Sequence, residues 1–189
     1  MRNTMALLVV VCAALLTGCG DRGTDGAPTP ATTGTFTDAP AQIPQDALPK
    51  QQAPAPDAGV TVTGLRIGRQ PGFDRVVYDL GGTGMPGWSV QYTDRAVQDG
   101  SGSPIDVAGQ SVLEVRITGS AYPFDSGVEP YAGPDPAADP NAPGIAGVYR
   151  TAVYEGITQS FIGVNADRPA FTVSALSNPP RLVIDIATP

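Results

Sequence analysis

From Gly59 onward, apolar side chains recur at every second position in short runs, and that period constrains the fold more than any other feature. A period of two puts alternate side chains on opposite faces of a strand. No stretch shows a capped 3.6-residue amphipathic repeat. Eight runs qualify as strands: 61–67, 75–80, 88–92, 112–118, 148–154, 160–164, 170–175 and 181–186. Gly, Pro, Asn or Asp separates most of them, which supplies the turn chemistry. Eight short strands in about 130 residues predict an all-β domain, a β-sandwich or small barrel.

Two of these runs share a grammar. Arg75-Val76-Val77-Tyr78-Asp79-Leu80 and Arg181-Leu182-Val183-Ile184-Asp185-Ile186 both read Arg, apolar, Val, apolar, Asp, apolar. Alternation predicts Val76, Tyr78 and Leu80 on one face, with Arg75, Val77 and Asp79 on the other. It likewise sends Leu182, Ile184 and Ile186 inward and Arg181, Val183 and Asp185 outward. The shared pattern is either convergent strand grammar or the mark of two pseudo-symmetric sheets packed face to face. Trp88, the lone tryptophan, is expected at the core or its rim.

The chain begins differently. Arg2 is the only charge before Asp21, and Met5 to Leu16 is an almost unbroken apolar stretch. A positive start followed by so short a run reads as an export signal, too short to span a bilayer as a mature helix. It ends in Leu16-Thr17-Gly18-Cys19, which resembles the lipobox of bacterial lipoproteins. That resemblance implies cleavage before Cys19, diacylglycerol on its sulfur and attachment to the membrane through the lipid. Two or more acyl chains hold a protein stably where one does so marginally. From Gly20 to Ala58 follow seven prolines with Ala, Thr, Gln and Asp, and only Phe36, Ile43 and Leu48 as large apolar side chains. Such a segment buries too little to offset its ordering entropy and is expected to be a disordered tether. Fully extended, its 39 residues would reach about 120 Å at roughly 3.1 Å each. The expected organisation is therefore signal 1–18, lipidated tether 19–58 and β domain 59–189.

Composition then removes whole classes of chemistry. There is no histidine, so neither a Ser-His-Asp or Cys-His hydrolase nor a His-ligated zinc site can be built. The single lysine, Lys50, falls in the tether, and Schiff-base chemistry would rest on it alone. Cys12 leaves with the signal and Cys19 is lipidated, so the domain holds no free thiol and no disulfide. No cofactor is expected. The formal charge of −7 becomes −8 once Arg2 is removed, which argues against nucleic acid and against electrostatic adhesion to anionic lipid.

Three stretches carry a family resemblance. Gly64-Leu65-Arg66-Ile67-Gly68, then Gly72-Phe73-Asp74-Arg75-Val76-Val77-Tyr78-Asp79-Leu80, and finally Pro180-Arg181-Leu182-Val183-Ile184-Asp185-Ile186 look like the AMIN-like domain of actinobacterial lipoproteins. The likeness covers about residues 60–187. The wider AMIN family forms a β-sandwich beside peptidoglycan amidases and secretin subunits, where it is thought to direct proteins to the cell wall. The resemblance implies a non-catalytic envelope module associating with peptidoglycan or wall polymers. It transfers no binding residue. A second reading is a protein-interaction module that recruits an envelope enzyme or secretion component through a strand edge or a loop.

The clearest candidate site is the segment 119–146, 28 residues with six prolines and no strand pattern. Loops of that length inside a domain tend to be functional or disordered. It carries Tyr122, Phe124, Asp125, Glu129 and Tyr131. Aromatic faces stack on sugar rings and carboxylates bond hydroxyls, so this is the candidate glycan-binding loop, against a bland reading in which its aromatics fold back onto the sandwich. Asp135, Asp139 and Asn141 lack the spacing of a calcium loop. Glu114, on a predicted strand, and Glu155, which follows Tyr154, are the pair to weigh as glycosidase carboxylates, and alternation puts Glu114 with Arg116 on a polar face. No catalytic residue is assigned.

Overall fold

The computed structural model describes residues 42–188. They form nine strands, β1 (Lys50–Gln52), β2 (Gly59–Gln70), β3 (Phe73–Thr83), β4 (Gly87–Thr93), β5 (Ser111–Thr118), β6 (Ile145–Tyr154), β7 (Ile157–Val164), β8 (Phe171–Leu176) and β9 (Arg181–Ala187), with one helical turn, α1 (Pro123–Ser126). All eight runs read from alternation are strands, within a few residues at their ends. Two antiparallel sheets face each other, ordered β1-β4-β5-β7-β6 and β2-β3-β9-β8. The expected β-sandwich is the fold.

The core lies where alternation sends it. Val76, Tyr78 and Leu80 of β3 and Leu182, Ile184 and Ile186 of β9 meet Val90, Leu113, Val115, Ile117, Ile162 and Val164 of the opposite sheet. Trp88 belongs to the same cluster. Tyr78 is fully buried, and its hydroxyl lies 3.0 Å from Ser160 Oγ, joining the sheets by a polar contact inside the apolar layer. Hairpin chemistry sets the register. The β6–β7 turn is Glu155-Gly156 with φ of 47° and 76°, the double positive φ of a type I′ turn.

The shared Arg-to-Asp grammar has a different meaning from two facing sheets. β3 and β9 are neighbours within one sheet, with Arg75 opposite Asp185 and Asp79 opposite Arg181. In an antiparallel pair, a motif with Arg first and Asp fifth is complementary to itself, so each Arg falls opposite an Asp. Arg75 and Asp185 form a two-pronged bridge at 2.6 and 2.8 Å. Asp79 is instead held by Arg66 of β2 at 2.8 and 2.6 Å.

The domain also starts earlier than Gly59. β1 pairs with β4 from Lys50↔Val90 to Gln52↔Trp88. Upstream of it, Asp46 O accepts the Phe171 N–H at 2.8 Å, and Lys50 Nζ sits 4.3 Å from the Phe171 ring centroid. Backbone pairing holds this stretch, although its composition reads as tether. Among the described residues, no helix is long and apolar enough to cross a membrane. Cys19, the signal and the tether up to Ala41 lie outside the described residues.

Candidate functional site

The chain between β5 and β6 leaves one sheet, passes the free edge of β2 and enters β6, closing that side of the sandwich. Its backbone is fastened along the way. Ala121 N–H donates to Val60 O at 2.8 Å, Tyr131 N–H to Val62 O at 2.8 Å, and Ala137 exchanges two bonds with Val148. The hydroxyls of Thr61 and Ser126 lie 2.7 Å apart. Pro123 opens α1, where its missing N–H costs nothing, and Gly127 (φ 70°) closes it by donating to Pro123 O. The loop is thus a built wall.

Fastening the loop divides the five predicted residues. Tyr122 and Phe124 flank Pro123 and stack with ring centroids 5.3 Å apart and planes only 5° from parallel. Phe124 is 80% exposed and Tyr122 41%. Asp125 and Glu129 are also exposed. Tyr131 is turned the other way, half-buried against the core, with the Arg150 guanidinium 4.4 Å from its ring centroid. Tyr131 is thus set apart from the stacked pair, packed against the core beneath Arg150.

Behind the stacked pair opens a cleft of about 240 Å³, walled by Tyr122, Pro123 and Pro130 from the loop, Val62 from β2 and Arg150 and Val153 from β6. Sequence reading missed Arg150. Its Nη1 donates to Tyr131 O at 3.3 Å, and its Nε is buried with no hydrogen-bond partner. The cleft's hydroxyls are largely spent within the protein, Thr61 on Ala121 O and Thr158 on Ser120 Oγ. Tyr154 stands exposed at the end of β6, its phenol pKa raised chiefly by the Glu155 carboxylate beside it. Among the described residues, no carboxylate lines the cleft. Such a site can stack a ring and offer a guanidinium.

The other candidates fall elsewhere. Glu114 Oε1 is engaged by Arg116 at 3.1 Å and Gln159 at 2.8 Å, and Arg116 also holds Asp99 at 2.7 Å. Those carboxylates raise the Arg116 pKa, the Asp99 hydrogen bond most of all. Glu155 sits in the β6–β7 turn. Because Thr118 is opposite Ile157, at least four residues of strand, roughly 13 Å of backbone, separate it from Glu114. Asp139 accepts from Asn141 and Asp135 from the Arg150 N–H. Among the described residues, no group of three or more Asp, Glu, Cys or His could hold a metal ion.

A second cleft of about 240 Å³ lies at the far end of β2, between Arg69, Gly144, Asn165 and Thr188. Asp74 contacts two of its lining residues, Gly144 and Arg69. The side chain is fully buried, Oδ2 accepts the Gly144 N–H at 2.7 Å, and Oδ1 has no hydrogen-bond partner. Burial raises the Asp74 pKa above the usual carboxylate value, against the lowering pull of that hydrogen bond and of Arg69.

A comparison with protein families matches residues 60–188 to the AMIN-like domain. The chain belongs to that family. Neither the comparison with curated proteins nor that with solved structures gives a match. AMIN-like membership suggests an extracytoplasmic module associated with the cell envelope, of a kind that is generally non-catalytic.

Proposed function

We propose that the protein is a lipid-anchored module that grips wall glycan, most directly peptidoglycan, through the cleft beside α1. One observation carries this reading: Tyr122, exposed and stacked parallel to the exposed Phe124, lines an apolar cleft on a loop fastened by backbone hydrogen bonds. An exposed aromatic pair held in one geometry offers a flat apolar face to a sugar ring at little cost in ordering. The Arg150 guanidinium at the cleft wall supplies the polar contact that fixes orientation. Attachment at Cys19 keeps the domain close to the wall it binds.

Two measurements test the two halves separately. Cys19→Ala should move the protein from the membrane fraction to the soluble one, and unchanged fractionation would end the anchor reading. The soluble chain from Gly20 should pellet with purified peptidoglycan, above a control protein of equal charge. Mg²⁺ should strengthen pelleting, because a protein of net charge −8 must approach an anionic polymer. No pelleting above control would end the wall reading. Crosslinking in cells that returns one specific envelope protein, together with absent wall affinity, would favour the recruitment reading instead.

A further inference from the structure

Among the described residues, three large aromatic side chains stand exposed: Tyr122, Phe124 and Tyr154. The first two belong to the cleft beside α1. Tyr154 is far from them in sequence, at the end of β6, and the chain turns directly after it at Glu155 and Gly156.

The fold brings this third ring to the same place. Ser120, two residues before Tyr122, donates its N–H to Gly156 O at 2.9 Å, and the Thr158 hydroxyl donates to Ser120 Oγ at 2.9 Å. The β6–β7 turn is thus tied to the start of the loop that carries the stacked pair. Tyr122 lines the cleft from the loop, and Val153, the residue before Tyr154, lines it from β6. The two phenols are close enough for Tyr122 to contribute to the raised pKa of Tyr154.

Tyr154 is seated as well as exposed. Its ring lies against Gly100, in the chain between β4 and β5, where a Cβ would come within 2.8 Å of Cε2 and 3.0 Å of Cδ2. Only a glycine leaves the ring that seat. The seat is itself pinned to the sheet through Asp99, whose N–H donates to Gln159 Oε1 at 3.0 Å and whose carboxylate pairs with Arg116 at 2.7 Å. A ring held from below on a fastened backbone has little left to order when a ligand stacks on it.

We propose that Tyr154 is a second stacking position on this surface, so that the protein binds an extended glycan strand in preference to a single sugar. The inference rests on the wall-glycan reading of the cleft and adds the length of its ligand. A strand lying across the cleft has a ring on each side, Tyr122 from the loop and Tyr154 from the end of β6. Charge favours an uncharged stretch of polysaccharide at the rings. Asp125 and Glu155 are exposed, and each directly follows one of the rings in the chain. Their carboxylates accept bonds from sugar hydroxyls and repel anions. Among the described residues, Arg150 is the one cation that lines the cleft.

The test is competition against pelleting with purified peptidoglycan, using the chain from Gly20, which keeps every described residue. The competitors are glycan freed of its stem peptides, one a disaccharide and one a long strand, compared at equal sugar concentration. For the parent, the long strand should compete at least about tenfold better, because its second contact is intramolecular once the first is made. Tyr154→Ala should remove most of that advantage and leave the disaccharide within about twofold of its parent potency, whereas Tyr154→Phe keeps the advantage. Equal potency of the two competitors for the parent overturns the second position, as does an unchanged advantage in Tyr154→Ala. Equal weakening of both competitors by Tyr154→Ala also overturns it, in favour of a structural role. Each of these results leaves the wall-glycan reading standing. Competition by free stem peptides alone, or no pelleting of the parent, ends both.

Discussion

The β3–β9 pair and the loop between β5 and β6 draw on the same side chains, aromatic rings and charges, and use them to opposite ends. In β3–β9 the aromatic rings and the central ion pair are shut in. Tyr78 is fully buried and hydrogen-bonded to Ser160, and Arg75 and Asp185 neutralise each other out of water. In the loop, Tyr122 and Phe124 stack in the open, and Asp125 and Glu129 point to solvent. Enclosure makes a group matter to stability, whereas exposure on a fastened backbone makes it available for recognition. Substitutions in the two regions should therefore separate the two properties.

The largest effect on stability should come from breaking the buried bridge. Asp185→Ala leaves an uncompensated guanidinium and should cost about 3–5 kcal/mol, read from chemical denaturation. A loss near that of Asp79→Ala would mean the bridge is wet. Asp79 and Arg66 are both about a third exposed, so Asp79→Ala should cost up to about 1 kcal/mol. Tyr78→Phe falls in the same range, about 1 kcal/mol, because Ser160 keeps its bond to Tyr149 O. Phe124→Ala should sit at the bottom, within about 0.5 kcal/mol of the parent. A larger cost there would show that the ring is a packing element.

Asp74 sharpens the comparison through pH. Its folded pKa is raised by burial, so the folded state holds this proton more tightly than the unfolded chain does. Stability from this group is highest below the unfolded value of about 3.8 and falls as pH rises through the window up to the folded pKa. Asp74→Asn keeps an acceptor for the Gly144 N–H and removes the titration. Its stability should decline less than that of the parent across that window. Parallel pH profiles would contradict a raised pKa.

What was legible in the sequence follows from what alternation encodes. A period of two marks which residues form strands and which side of each strand is apolar, so eight strands and the inward sets of β3 and β9 were readable. It says nothing about which strand lies beside which. The adjacency of β3 and β9 was therefore hidden, although the self-complementary Arg–Asp spacing was in view. β1 was invisible because Lys50-Gln51-Gln52 pairs through its backbone alone and buries no apolar face. In the loop, length and proline content flagged the segment, and the exposed pair Tyr122–Phe124 was among the residues named. Tyr131 pointed inward and Arg150 stood on a distant strand, because both positions depend on how the loop crosses the edge of β2. A cleft made by chain segments ninety residues apart has no local signature.

The most direct test of the account is pelleting of the soluble chain with purified peptidoglycan, comparing the parent with the double variant Tyr122→Ala, Phe124→Ala at matched thermal stability. Removing two stacking rings should weaken binding by at least about tenfold, which corresponds to about 1.4 kcal/mol. Binding by the double variant equal to that of the parent would contradict the claim that the exposed pair is the recognition surface.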